Sequence, residues 1–214
     1  MKLAEFYAGS RSVGKVAESM GFEVWSTDLK AFDGIHLAKD ILDITREDIP
    51  FVPDVIWASI DCTTYSIAAI STHRNGIEPK SEYAVKSDKM LEKTLEIFSW
   101  FPDAKFFSEN PMGMMRKMPQ LSGIDRAEVT YCSYGDMRMK PTDIFTNHLR
   151  SLMNPNGWQP RPKCRNGNRL CQHEPAPRGS RTGTQGIKGS YDRSRIPEEL
   201  IIEILESTRG PVRI

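Results

Sequence analysis

Leu3-Ala4-Glu5-Phe6-Tyr7-Ala8-Gly9-Ser10-Arg11-Ser12-Val13-Gly14-Lys15-Val16 stands at the start of the chain, and its residue types follow the order strand, turn, helix. Residues 3–7 are a short, mostly apolar run suited to a buried strand. Ala8-Gly9-Ser10 is small enough for the backbone to turn sharply. Residues 12–20 then read as a helix that Gly21 stops. The alternation continues down the chain. Residues 22–27 read as a strand ending at Asp28, and residues 54–60 as another that delivers Asp61 and Cys62. Residues 87–101 set Leu91, Leu95 and Phe98 on one helical face, and residues 104–108 form a buried strand leading to Glu109-Asn110-Pro111. Residues 129–132 and 143–146 read as the last two strands. Such alternation predicts an α/β sheet, and sheets of that class place their sites at the carboxyl ends of the strands.

The chain has 214 residues, 39% hydrophobic and 27% charged, so one globular domain with at most a small appendage is expected. No window approaches 18 uninterrupted apolar residues, and no membrane partner is expected. The first residues lack the apolar run of a secretory signal, which makes a cytoplasmic location the expectation. Four cysteines at irregular spacing then point to catalysis or metal binding rather than to disulfides. The net charge of +1 hides an asymmetry: residues 1–130 carry 15 Lys/Arg against 20 Asp/Glu, residues 131–214 carry 14 against 8. Residues 138–195 hold 12 basic and three acidic side chains, the footprint of phosphate-backbone binding or, more plainly, a solvated basic face.

From residue 154 to 195 Gly, Pro, Arg and Asn dominate and apolar periodicity disappears, so this stretch reads as an irregular module. A loop of that length in a compact domain is expected to be functional or tied down. Cys164, Cys171 and His173, with His148 upstream, offer the sulfur and nitrogen donors of a structural zinc site. Cys132 is set aside as a ligand because it ends the apolar run of a strand. Arg161, Lys163, Arg165, Arg169, Arg178 and Arg181 would meet phosphates, with Trp158 either a stacking surface or local core. Residues 197–206 return to a helical pattern, with Pro197 in the first turn and Glu198-Glu199 complementing the dipole.

Gly9 to Lys15 also fits the phosphate-binding pattern G-x-x-x-x-G-K, but Val16 stands where that pattern needs a magnesium-binding Ser or Thr. Asp28 lies about 20 residues beyond Gly9, the spacing at which an acidic side chain accepts hydrogen bonds from a ribose. The residues favour a nucleoside and leave a P-loop nucleotide hydrolase open. Cys62 opens a polar segment, Thr63-Thr64-Tyr65-Ser66, and Glu109 stands at the mouth of a buried strand. Together they read as a nucleophile and an acid; singly, as a semi-buried thiol and a helix cap.

The ordered set Glu5-Phe6-Tyr7-Ala8-Gly9-Ser10, Asp28, Asp40-Ile41, Asp61-Cys62, Glu109-Asn110 and Ile196-Pro197-Glu198-Glu199-Leu200 resembles the cytosine-5 DNA methyltransferases, most closely their small phage-borne forms. The resemblance implies an α/β, Rossmann-like S-adenosylmethionine-dependent methyltransferase sheet at 1–150. A small basic module at 151–195 would bind DNA, and a helix within 196–214 would return to the sheet. Tyr7, Ala8, Gly9 and Ser10 would hold S-adenosylmethionine, Asp28 with Leu29 its ribose, and Asp40 with Ile41 its adenine. Cys62 would attack carbon 6 of a flipped cytosine, which Glu109, beside Asn110, would grip. Arg138 and Lys140 fall in the region of the family's basic motif, and Arg138 is counted with the catalytic group. Residues 63–86 would be a mobile loop closing over nucleic acid. The chain departs from the family at Arg11, where a second Gly is usual, and at Asp61, where Pro is usual. A methyltransferase-like DNA-binding protein without catalysis is the reading that Asp61 keeps open.

Overall fold

The structure, a computed structural model, describes residues 1–165, 167–174 and 194–210. Strand β1 (Lys2–Phe6), helix α1 (Ser12–Ser19) and strand β2 (Glu23–Asp28) make the first unit, followed by the two-residue β3 (Leu37–Ala38) and by β4 (Val55–Ala58). The short α2 (Ile70–His73) and the hairpin β5 (Arg74–Asn75) and β6 (Glu78–Pro79) precede the long helix α3 (Glu82–Ser99). Then come β7 (Lys105–Pro111), β8 (Asp125–Thr130), β9 (Pro141–Thr146) and helix α4 (Glu198–Thr208). Seven strands form one sheet in the order β3-β2-β1-β4-β7-β9-β8. The first five are mutually parallel, while β9 runs antiparallel to both β7 and β8.

The period of two along the strands divides the core. Ala4, Phe6, Ile56 and Ala58 face Leu91, Ile97 and Phe98 of α3. Leu3, Val55, Trp57 and Phe107 face the opposite layer, made with Val13 and Ala17 of α1 and Leu200, Ile201 and Ile204 of α4. Both faces are covered, which is why the central strands read as continuous apolar runs. The chain leaves β1 towards β2 on one side and returns through β4 on the other, so the strand order reverses between β1 and β4. Open α/β sheets bind ligands at the carboxyl ends of such a pair.

Two glycines are fixed by this frame. Gly9 holds φ +48°, and a Cβ on Gly14 would stand 2.6 Å from the Glu5 carboxylate. That carboxylate accepts from the Gly14 N–H at 3.1 Å and from the Ser26 hydroxyl at 2.7 Å. Gly14 is therefore small for the sake of Glu5, not of a phosphate. Arg11, also at positive φ, is buried and reaches Ser26 and Glu18.

Several boundaries differ from the sequence reading: β7 runs on to Pro111 and so contains Glu109 and Asn110, β4 stops at Ala58, and β8 and β9 start earlier, at Asp125 and Pro141. Helix α3 starts at Glu82, capped by the Ser81 side chain, because its first turn borders solvent and carries no apolar stripe. Strand β8 ends at Thr130, and Tyr131–Tyr134 is a tight turn closed by Gly135 at φ +81°. Cys132 thus sits on a turn rather than at the end of a strand. The 63–86 stretch is folded around a buried Arg74, which donates to Thr64, to Ile77 and to the Asp88 carboxylate and lies 4.2 Å from the Tyr65 ring centre. Trp158 is 1% exposed and donates its indole N–H to Glu203, so it is core and not a stacking surface.

Candidate active site at the strand-order switch

Two clefts adjoin at the carboxyl ends of β1 and β4 and share Tyr7, Ser59 and Asp61. The first, of about 540 Å³, brings together Tyr7, Asp28, Leu29, Asp40 and Ile41. Asp28 fastens the turn after β1: its Oδ2 accepts from the Gly9 N–H at 2.9 Å. Asp40 accepts from Leu42 N–H and from Lys86, and these donors hold its carboxyl below the ordinary carboxylate range. Tyr7, another left-handed residue, hydrogen-bonds Thr94 of α3 at 2.9 Å, fixing the wall between the clefts. Acceptors beside apolar Leu29, Ile41 and Phe32 form the acceptor and ring-face set that a nucleoside requires. Lys15 is exposed and lines neither cleft, which removes the residue a P-loop reading depends on.

The second cleft, of about 590 Å³, contains Ala8, Gly9, Ser10, Cys62 and Glu109. Cys62 is partly buried, and burial pushes its thiol up to about 11. The Glu109 charge adds to that rise, Lys140 opposes it, and Asp61 contributes less than either. Asp61 turns towards Thr63, whose hydroxyl donates at 2.7 Å, and towards the Tyr83 hydroxyl. Glu109 is 5% exposed; its Oε1 accepts from the Tyr131 hydroxyl at 2.8 Å, and the Lys140 ammonium lies 3.4 Å away. Lys140 also lies 4.6 Å from the Tyr131 ring centre. A carboxylate, a phenol and an ammonium are thus joined in one buried group beside a thiol. Such a group can hold a polar ring by its edge while a nucleophile stands over its face.

Two residues counted as catalytic on sequence stand elsewhere. Asn110 lies behind the cleft wall and donates to the Ile60 carbonyl at 2.9 Å, tying the segment before Cys62 to β7. Its Oδ1 is buried without a hydrogen-bond partner among the described residues. Arg138 is held by Asp136 and donates to the Arg195 carbonyl at 3.0 Å, so its guanidinium supports the Tyr131 ring from outside the cleft. Lys140, two residues on, takes the inward place, and Tyr131 joins it although no motif marks that residue. The signal for both was present as polar residues flanking β8 and β9, but their meeting at Glu109 depends on how β9 registers between β7 and β8.

The expected metal donors also regroup. Cys132, Cys164, Cys171 and His173 bring their ligand atoms within 4.8 Å of one another. His148 is not among them: its Nε2 meets the Ser207 carbonyl at 3.1 Å and its ring abuts Phe107, so it is a core histidine. Burial lowers its pKa. Cys132 takes the place expected of it, because the Tyr131–Tyr134 turn aims the thiol out of the sheet. Arg178 and Arg181 lie outside the described residues.

The sheet order and the two clefts at the switch point define an α/β, Rossmann-like fold. Among solved structures, the chain is similar to a candidate DNA modification methyltransferase encoded within an Escherichia coli prophage, with TM-score 0.50 and 14% identity over 68% of this chain and 46% of that one. It is likewise similar to the methyltransferase EhMeth of Entamoeba histolytica, with TM-score 0.53 and 13% identity over 72% and 54%. A DNMT2 variant of Spodoptera frugiperda matches with TM-score 0.50 and 15% identity over 76% and 55%. The chain spans about half the length of these proteins. No protein-family model and no curated protein matches it. No helix among the described residues is long and apolar enough to cross a membrane.

Proposed function

We propose that this chain is an S-adenosylmethionine-dependent DNA methyltransferase that modifies carbon 5 of cytosine through a covalent bond to Cys62. The observation that carries the reading is that Cys62 and Glu109 line one cleft, which adjoins the Asp28–Asp40 cleft across Tyr7 and Asp61. Residues 1–150 act as the catalytic body, 151–195 as the DNA-binding module and 196–214 as the returning segment. A structural zinc ion on Cys132, Cys164, Cys171 and His173 belongs to the same reading.

Asp28, Leu29, Asp40, Ile41 and the turn Tyr7–Ser10 would hold S-adenosylmethionine, which would supply an electrophilic methyl carbon. Cytosine must leave the duplex to reach Cys62, at a cost of about a few kcal/mol. The Cys62 thiol would lose its proton to solvent as its sulfur adds to carbon 6. The displaced electron pair makes carbon 5 a nucleophile that could take the methyl group as the donor's S–CH3 bond breaks and S-adenosylhomocysteine leaves. Glu109, oriented by the Tyr131 hydroxyl and by Lys140, hydrogen-bonds the ring nitrogen and amino group and stabilises the charge that develops. Loss of the carbon-5 proton to a base then returns the pair and expels the thiolate. Burial and the Glu109 charge push the resting Cys62 thiol up to about 11, so it is protonated at neutral pH.

DNA containing 5-fluorocytosine tests this, because fluorine at carbon 5 cannot leave as a proton and the adduct persists. A denaturation-resistant protein–DNA complex that requires S-adenosylmethionine and vanishes in Cys62→Ser is expected. No complex from protein that still binds S-adenosylmethionine would refute the covalent mechanism.

A further inference from the structure

Residues 159–174 cross the surface beside the Tyr131–Tyr134 turn with almost no core of their own. Among the described residues of this stretch only His173 is buried, while Leu170 is 98% exposed. Such a segment needs a cross-link to hold one shape. Four donors meet at its base: the thiols of Cys132, Cys164 and Cys171 and the imidazole of His173. The Cys164 Sγ lies 3.6 Å from His173 Nδ1. A zinc tetrahedron with Zn–S about 2.3 Å and Zn–N about 2.1 Å has a sulfur–nitrogen edge of about 3.6 Å. Hydrogen bonds bracket the cluster. Cys164 N–H donates to the Thr130 hydroxyl at 2.8 Å, and the Gln172 amide to the Cys132 carbonyl at 2.8 Å. Glu174 N–H donates to the Met137 carbonyl at 3.0 Å and closes the far side of the loop.

We infer that a zinc ion on these four ligands is a strut that sets the Tyr131 hydroxyl against Glu109, so that metal occupancy controls cytosine capture but not S-adenosylmethionine binding. The inference rests on the function proposed above for Glu109. Cys132 is the residue next to Tyr131, and both lie on one tight turn. A ligand bond at Cys132 therefore fixes the backbone from which Tyr131 reaches the carboxylate, 2.8 Å away. Binding converts three thiols to thiolates, releases their protons to solvent and leaves the imidazole neutral. Tyr131 is a positioning residue here, acting on the substrate through Glu109. None of the residues assigned to S-adenosylmethionine in either cleft, Tyr7 to Ser10, Asp28, Leu29, Asp40 and Ile41, is one of the four ligands or belongs to their turn, so the cofactor site stays as it is when the metal leaves.

The test uses the full chain, with zinc alone and cobalt(II) alone as probes. One zinc per chain is expected, along with the intense thiolate-to-metal absorption of tetrahedral cobalt after exchange. Cys132→Ser should weaken metal binding by at least about tenfold, since even groups outside the ligand shell are worth about 10–100-fold. Because that variant could fail to fold, chelation of the wild-type protein followed by zinc return supplies the second arm. On chelation, hydrogen exchange should quicken in peptides covering 127–137 and 158–174 and stay unchanged in 2–28. Adduct formation with 5-fluorocytosine DNA should fall at least about tenfold, while S-adenosylmethionine affinity changes less than about twofold, and zinc should restore both the exchange pattern and the adduct. Absence of metal from freshly purified protein, unchanged exchange at 127–137 after verified metal loss, or a parallel loss of S-adenosylmethionine binding would each overturn the inference. The exchange and cobalt readouts need no methyl transfer, so a protein that binds zinc but forms no adduct refutes the proposed function and leaves the strut standing.

Discussion

Cys62 shows how far a single residue can be read. Its place after a strand and before a polar segment was legible, and so was the carboxylate at Glu109. The balance of forces on its thiol was not, because burial, Glu109 and Lys140 act through space. Asp61, the sequence neighbour that stood out, contributes less, since its carboxylate is engaged by Thr63 and Tyr83. A thiol raised to about 11 is almost wholly protonated at neutral pH, and its thiolate fraction grows about tenfold per pH unit. Alkylation of Cys62 in the free protein, followed by mass spectrometry, should therefore accelerate with that slope between about pH 7 and 9. Lys140→Met removes the cation that favours the thiolate and should slow the reaction severalfold at any pH in this range. A rate flat with pH, or unchanged in the variant, would show that the thiol is not governed by these neighbours.

Among the elements, the junction of β1 and α1 combines the clearest sequence signal with a hidden charge. The strand–turn–helix order was readable because it depends on local residue types. The reason for Gly14 was not, because Glu5 approaches it from the preceding strand. Burial raises the Glu5 carboxyl to about 7, against hydrogen bonds from Ser26 and Gly14 and the charge of Arg11, which lower it. An acid whose folded pKa lies above its unfolded value holds its proton more tightly when folded. That contribution to stability is complete below about pH 4.5 and is lost as pH rises through about 7. The shift corresponds to roughly 3 kcal/mol. Thermal unfolding of the wild type should accordingly lose stability between about pH 5 and 7, and Glu5→Gln, which cannot titrate, should flatten that slope. An equal slope in both proteins would place the titration elsewhere. The α4 pattern was legible for the same local reason as α1, whereas the start of α3 was not, since its first turn borders solvent.

At the scale of the whole molecule, the basic surplus after residue 130 is smaller than its count suggests. Arg161 pairs with Glu199 and Glu203, Lys163 with Glu128 and Arg138 with Asp136, so much of that charge holds the chain together. Arg165 and Arg169, exposed between Cys164 and Cys171, form no ion pair among the described residues, and under the proposed function they would meet phosphates. Replacing both by Ala should reduce the slope of log affinity for duplex DNA against log salt by about 2, with zinc content unchanged. A slope equal to that of the wild type would remove this loop from the DNA interface. The sequence by itself determined the α/β alternation, the turn at Gly9, and the placing of Cys62 beyond β4 and of Glu109 in the last part of β7, because each follows from neighbouring residues and their periodicity. Only the tertiary structure decided that Cys132 and not His148 joins the sulfur cluster, and that Lys140 and Tyr131 rather than Arg138 meet Glu109. These are contacts between residues distant along the chain, set by strand register and the direction of a tight turn, and no local pattern encodes them.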